Sequence, residues 1–178
     1  MRKASLNNKI AMLLLLAISL MNHVKAEDNR EYQLKAAYLL NFARFIYWPE
    51  DVFESDVSVF TICIYGENQF GDLLDTLSNK LINNRPIKVK YIKERRIDLS
   101  CRIAFLSKSS KANYPSLLDE FPDHTLTVSD IENFSQHGGM IEFIQVKNKI
   151  KFEINVVKSS EKGIKYRSQL LEVAERLR

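Results

Sequence analysis

Short runs of apolar and β-branched residues alternate along this chain with longer segments in which apolar residues recur at helical spacing. The runs predict strands at 57–65, 87–92, 102–106 and 125–128, and the longer segments predict helices at 31–47, 68–81, 109–121 and 168–177. Two further runs, 140–146 and 149–156, flank Lys147-Asn148 and predict an antiparallel hairpin. The alternation indicates the α/β class. We expect a single-domain sandwich in which helices flank a mixed β-sheet, with a C-terminal antiparallel hairpin.

The apolar positions also predict which face of each element is buried. In the helices they are Phe70, Leu73, Leu74 and Leu77, then Leu117 and Leu118, and finally Leu170, Leu171, Ala174 and Leu177. The strand at 149–156 alternates cleanly. Ile150, Phe152, Ile154 and Val156 share the packed face, while Lys149, Lys151, Glu153 and Asn155 share the face expected to meet water or a partner.

The first 26 residues have the layout of a cleaved secretory signal peptide. Basic residues precede an apolar run over 10–21, and a short polar segment ends in Val24-Lys25-Ala26. We expect cleavage after Ala26, leaving 27–178 as one exported domain without direct membrane insertion. The alternative is a membrane anchor, but an apolar run over 10–21 is shorter than the about 20 residues that a span needs.

The net charge of +4 belongs to this leader. The segment 1–26 contains four basic residues and no Asp or Glu. Removing those four from the 26 basic residues of the chain leaves 22, which equals the 22 acidic residues. The basic balance therefore does not indicate a surface for an acidic partner.

Cys63 and Cys101 both lie in the exported part of the chain. An even pair of cysteines in an exported protein indicates a disulfide. Two buried free thiols are the alternative. A domain of this length can bury a sufficient core, so folding does not depend on the bridge.

The sequence predicts no catalytic, metal-binding or nucleic-acid-binding residues. His124 and His137 stand alone, without ligand partners at a local spacing. No G-x-S-x-G motif occurs, and Ser129-Asp130 is better suited to capping a helical turn. The densest basic run, 93–96, is interrupted by Glu94. We therefore expect neither an enzyme nor a cofactor-dependent protein.

One Gly-flanked loop is a candidate ligand crevice. Gly66, Glu67, Asn68 and Gly71 follow a buried strand and precede a predicted helix, where α/β sheets bind ligands. The spacing differs from G-x-G-x-x-G, and Glu67 would repel a phosphate. The alternative is a plain strand–turn–helix connection in which Asn68 caps the helix.

The helix at 31–47 and the Trp48 after it are candidates for protein recognition. The segment carries six aromatic residues, at positions 32, 38, 42, 45, 47 and 48. Apolar groups surround much of the helix, so it is either a core helix or one shared between the core and a partner. Tyr38, Phe42, Phe45 and Trp48, together with Ile141 and Glu153 of the hairpin, are the candidate partner-binding residues.

Several blocks of this sequence resemble the YfiR family of exported proteins. The first is the segment 35–49, which reads Lys-Ala-Ala-Tyr-Leu-Leu-Asn-Phe-Ala-Arg-Phe-Ile-Tyr-Trp-Pro. Further blocks follow in the family's order at 61–71, 85–87, 101–107, 126–130, 138–141 and 151–155. Together they cover nearly the whole of 27–178.

The resemblance implies a periplasmic α/β regulator that is often a homodimer and has no enzymatic activity. It implies repression of an inner-membrane diguanylate cyclase, and thus of cyclic di-GMP signalling, through contact with the periplasmic sensor domain. Other members are expected to serve different sensors, such as histidine kinases, and an outer-membrane lipoprotein can sequester the repressor. The family's cysteine pair in the central strands matches Cys63 and Cys101, whereas the second pair of some members is absent here.

We therefore predict a periplasmic regulatory binding protein that represses a membrane-bound signalling protein by direct contact. The alternative function is a periplasmic small-ligand-binding protein that uses the crevice at residues 66–71.

Overall fold

The computed structural model describes residues 30–55, 58–93 and 96–178, so the predicted signal peptide at 1–26 lies outside the described residues. The helices are α1 (30–45), α2 (Tyr114–Leu118), α3 (Val156–Glu161) and α4 (Ser168–Val173). Short 3-10 helices cover Glu50–Val52, Asp75–Asn79 and Lys108–Ser110. The strands are β1 (Ile46–Tyr47), β2 (Phe60–Tyr65), β3 (Leu81–Ile82), β4 (Arg85–Ile92), β5 (Cys101–Leu106), β6 (Leu126–Ser129), β7 (Ile141–Val146), β8 (Lys149–Ile154), β9 (Lys165–Tyr166) and β10 (Arg176–Leu177).

Among the described residues, eight strands form one mixed sheet in the order β10-β8-β7-β6-β5-β2-β4-β3. Neighbouring strands from β4 to β7 pair in parallel, while the β7–β8 and β3–β4 pairs are antiparallel. A separate antiparallel pair joins β1 to β9. The mixed sheet with flanking helices confirms the predicted α/β class.

The central strands are buried on both faces, as their continuous apolar runs predict. All six residues of β2 are buried. Its residues Phe60, Ile62 and Ile64 face a larger core, which is shared with α1 and the hairpin strands. Cys63 and Tyr65 face a smaller core on the other side, which is shared with α2. Period-2 alternation thus divides the strand between two layers.

Residues 68–81 do not form the predicted α-helix. Turns over 71–74 and the 3-10 helix Asp75–Asn79 replace it. Asn68 Oδ1 accepts a hydrogen bond from the amide of Phe70, and Asn68 Nδ2 donates to the carbonyl of Gly71, where φ is 55°. Local side-chain bonds of this kind compete with the helical ladder. The apolar spacing still packs the segment, because Phe70, Leu74 and Leu77 are buried in the larger core.

The helix predicted at 109–121 is reduced to α2, with the 3-10 helix Lys108–Ser110 before it. Pro115 lies in the first turn of α2, where its missing N–H does not break the helical ladder. Leu117 and Leu118 are buried against the smaller core, as predicted.

The hairpin is confirmed. Strands β7 and β8 pair from Ile141↔Ile154 to Val146↔Lys149. Lys147 and Asn148 have φ values of 49° and 60°. Positive φ at both central residues is the type I′ turn, whose twist matches that of the strands it joins.

The helix predicted at 168–177 ends early, and its last part becomes a strand. Helix α4 stops at Val173, Ala174 is extended, and β10 pairs in parallel with β8. Leu170 is buried as predicted, but Leu177 is 48% exposed, so its placement on an apolar helical face was wrong. Hydrogen bonds from Arg178 N to Ile154 O and from Val156 N to Arg178 O stabilise the extended form over helical propensity.

Candidate functional site

Three of the predicted partner-binding residues lie inside the larger core. Phe42 is fully buried, and its ring centroid lies 5.1 Å from that of Phe152. Trp48 is buried as well and donates its Nε1–H to the carbonyl of Ala43 at 2.7 Å. Ile141 is fully buried on β7. In the folded chain these three side chains act as core residues, and a direct contact with a partner stays a prediction that would require the core to open.

A stripe along α1 remains partly exposed. Leu34, Tyr38 and Phe45 are spaced at i, i+4 and i+11, which aligns their side chains along one helical face. Leu34 is 42% exposed, and Tyr38 and Phe45 are half-buried against the larger core. These three residues are called the α1 stripe below. It offers an apolar surface that a partner can reach without unfolding the domain.

Glu153 does not face water, contrary to the expectation from strand alternation. The residue is only 2% exposed and pairs directly across the hairpin with Glu142. Arg178 donates to both of its carboxylate oxygens, at 2.7 and 3.2 Å, and Arg176 donates at 3.2 Å. The hydroxyl of Ser135 lies within hydrogen-bond distance of the Glu142 carboxylate and of the Glu153 carboxylate.

The electrostatic balance at Glu153 favours the ionised carboxylate. Burial alone would raise the pKa of Glu153, but hydrogen bonds from Arg178 and Ser135 outweigh it and lower the pKa below its usual value. The same pairing raises the pKa of Arg178. We define Glu153, Arg176 and Arg178 as the C-terminal clamp. The Arg-Leu-Arg alternation at 176–178 is the sequence signal that could have predicted it, because alternate residues of a strand share one face.

Lys35 forms a buried charged network that the sequence reasoning did not assign. The residue is 1% exposed, and its Nζ lies 2.5 Å from Asp130 Oδ2 and 2.5 Å from Glu31 Oε1. Tyr32 also donates to Asp130 Oδ2, whereas Oδ1 has no hydrogen-bond partner among the described residues. Lys35 lies next to Ala36 and four residues before Leu39, on the buried face of α1. This position among apolar residues was the sequence signal that could have predicted the burial of Lys35. This network connects the start of α1 to the end of β6.

The predicted crevice lies at the switch point of the parallel sheet. The segment after β2 packs on the larger core, while α2, which follows β5, packs on the smaller core. The chain therefore diverges to opposite faces where β2 and β5 end, the usual ligand position in such sheets. A cavity of about 440 Å³ opens there, lined by Tyr65, Gly66, Glu67, Lys93, Ser109 and Asn113 among others.

Gly66 is required by the close packing of this crevice. A Cβ there would lie 2.4–2.6 Å from the hydroxyls of Ser107, Ser109 and Ser110, and the φ of Gly66 is 87°. Ser109 Oγ accepts a hydrogen bond from the amide of Glu67 at 2.8 Å. Of the four predicted crevice residues, Gly66 and Glu67 line the cavity. Asn68 and Gly71 instead form the local turn that follows.

In the described structure, the ring of each histidine lies within hydrogen-bond distance of a backbone carbonyl. His124 Nδ1 lies 3.1 Å from the carbonyl of Gly163, and His137 Nδ1 lies 2.8 Å from that of Asn133. Over 30–55, 58–93 and 96–178, no three His, Cys, Asp or Glu side chains converge as metal ligands. In the same ranges, no helix has the length and hydropathy needed to cross a bilayer.

Comparison with known proteins identifies the family of this domain. A family model described as YfiR/HmsC-like matches residues 32–175, from the first turn of α1 to the residue before β10. The chain belongs to the YfiR/HmsC-like family. This confirms the resemblance carried by the sequence blocks. No curated protein matches the chain.

The sequence blocks shared with the family form central elements of the fold. The block at 35–49 of this YfiR/HmsC-like chain builds α1 and β1, including the buried Lys35. The blocks at 61–71 and 101–107 build β2 and β5, which the Cys63–Cys101 disulfide joins, as predicted. The YfiR/HmsC-like family is one of periplasmic regulators rather than enzymes.

Proposed function

We propose that this chain is a periplasmic regulator that represses an inner-membrane signalling protein, such as a diguanylate cyclase, by binding its periplasmic domain. The observation that carries the proposal is the YfiR/HmsC-like match over 32–175. Binding shifts the sensor toward an inactive state only if the repressor has a higher affinity for that state. The proposal includes a cleaved signal peptide at 1–26, a homodimer, and an outer-membrane lipoprotein that sequesters the repressor.

The α1 stripe is the surface we propose for contact with the sensor. Leu34 supplies exposed apolar area, and the outer parts of Tyr38 and Phe45 extend it along the helix. Well-packed apolar and aromatic side chains at the centre of an interface contribute most of its binding energy. Phe42, Trp48 and Ile141 support this surface from below by packing in the core.

Deleting the gene in the native host is expected to raise cellular cyclic di-GMP, because the cyclase loses its repressor. Complementation with the unaltered chain restores the low level, whereas Leu34→Glu does not. We expect this variant to bind the sensor domain about tenfold more weakly. The matched control is Leu99→Glu, since Leu99 is 68% exposed and its neighbour Ile97 packs against the smaller core, whereas α1 packs against the larger one. Unchanged cyclic di-GMP after deletion contradicts repression, and equal complementation by the two variants removes the α1 stripe from the proposal.

The second candidate function is small-ligand binding in the crevice beside Gly66. The cavity of about 440 Å³ at the switch point favours it, because α/β sheets bind ligands at this position. Native mass spectrometry of freshly purified protein should then show a retained ligand mass. Gly66→Ala should lose that mass, because its Cβ would collide with the surrounding serine hydroxyls. An unliganded mass in the unaltered protein argues against this candidate.

A further inference from the structure

Strand β10 is held to the sheet mainly by polar interactions. Its backbone bonds run from Glu175 N to Phe152 O, from Arg178 N to Ile154 O and from Val156 N to Arg178 O. Both residues of β10 are exposed, so the strand adds little apolar burial. Segments with few buried apolar contacts open at lower free energy than the core. The outer edge of β8 is therefore covered by a weakly attached strand.

The geometry of the C-terminal clamp favours arginine over lysine as the partner of Glu153. Glu153 is buried directly opposite Glu142 in the hairpin. Two like charges on facing positions of paired strands are unfavourable without cations. Arg178 donates two hydrogen bonds to the carboxylate of Glu153, and Arg176 donates a third. A guanidinium matches a carboxylate in this geometry better than an ammonium does. In the parallel register, Arg176 lies beside Glu153 and Leu177 beside Ile154.

We propose that the outer edge of β8 is a docking site for an extended protein segment that carries two arginines two residues apart. Residues 176–178 occupy this site in the isolated chain, and a partner segment with the same pattern displaces them. The incoming segment adds a strand parallel to β8 and places its arginines on Glu153, so backbone bonds provide affinity and the carboxylate provides specificity. This surface is separate from the α1 stripe, and the proposal does not depend on the cyclase being the partner.

A cavity beside the C-terminal clamp borders the proposed docking site. It has a volume of about 510 Å³ and is lined by Arg178, Val157, Gln136 and Gly138 among others. Val157 is 61% exposed there, so the cavity offers an apolar contact to the residue that follows the second arginine. We expect a small apolar residue at that position of the partner segment.

The test uses the full exported chain and a fluorescein-labelled peptide with the sequence of residues 173–178. Fluorescence polarisation is expected to show binding to Arg176→Ala/Arg178→Ala that is about tenfold tighter than to the unaltered chain, whose site is occupied. The matched control is Lys88→Ala/Lys165→Ala, which removes two positive charges from exposed positions on β4 and β9 and should bind like the unaltered chain. Adding Glu153→Gln to the arginine variant should abolish the gain. Equal binding to all variants, or equal binding of a peptide with both arginines replaced by alanine, overturns the proposal.

A second measurement covers the case in which the arginine variant does not fold. Hydrogen exchange of the unaltered chain, resolved by residue, should show the amides of Glu175 and Arg178 exchanging about tenfold faster than those inside the β7–β8 hairpin. Addition of the unlabelled peptide should shift their resonances. Equal protection of these amides and the hairpin, with no shift on peptide addition, means that β10 opens only with the whole domain and overturns displacement.

Discussion

Lys35→Met is expected to lower the free energy of unfolding by about 3–5 kcal/mol, because it removes one partner of a buried ion pair. The Asp130 side chain is 3% exposed and lies 2.5 Å from Lys35 Nζ. Without the ammonium, Asp130 keeps the hydroxyl of Tyr32 as a donor but loses the buried cation that balances its charge. Since domains are stable by only about 5–15 kcal/mol, the loss should be a large fraction of the total.

Urea unfolding followed by the fluorescence of Trp48, the single tryptophan, measures this loss. The matched control is Glu31→Gln, because the Glu31 side chain contacts the same ammonium but is 28% exposed. We expect that control to lose about 1 kcal/mol or less. Adding Asp130→Asn to Lys35→Met should restore part of the stability, since a neutral amide needs no counterion. A Lys35→Met variant as stable as Glu31→Gln would contradict a structural role for the network.

The sequence was most informative where local chemistry and apolar pattern agree. Strands β2 and β5 are continuous apolar runs, and burial on both faces follows from that pattern alone. The hairpin was predictable because strong alternation flanks Lys147-Asn148, and asparagine tolerates positive φ. In these elements, period and turn residues favour the same structure.

The failures occur where a few polar contacts override the apolar spacing. At 68–81 the helical period is present, but Asn68 and Gly71 stabilise turns in place of a helix. At 174–177 the apolar period is also helical, yet pairing with β8 holds the chain extended. Neither contact follows from periodicity, because one is a local side-chain bond and the other joins residues far apart in the chain.

The candidate site was predictable to a similar extent. Gly66 and Glu67 line a crevice, in line with the switch-point turn that a glycine after a buried strand indicates, whereas Asn68 and Gly71 lie in the turn that follows. Glu153 was placed on a strand face expected to meet water, and the structure buries it. Its burial depends on Arg176 and Arg178, which are 23 and 25 residues away. A single-strand pattern contains no information about such a covering segment.

Removing the Cys63–Cys101 disulfide is expected to lower the free energy of unfolding by about 4 kcal/mol. The bridge joins the adjacent parallel strands β2 and β5, its Cα atoms lie 5.8 Å apart, and both cysteines are fully buried in the smaller core. The cysteines are 38 residues apart, so the bridge closes a long loop in the unfolded chain, and the chain-entropy relation gives about 4 kcal/mol for a loop of this size.

Urea unfolding of Cys63→Ala/Cys101→Ala should therefore show a lower midpoint together with a larger dependence of unfolding free energy on urea. Without the cross-link, the unfolded chain is more expanded and exposes more surface. The control is the unaltered chain after reduction, which keeps both sulfur atoms in the core and loses only the bond. If the reduced chain is destabilised as much as the double variant, the effect comes from the cross-link. If the reduced chain keeps full stability while the double variant loses it, packing of the sulfurs accounts for the loss and the chain-entropy explanation fails.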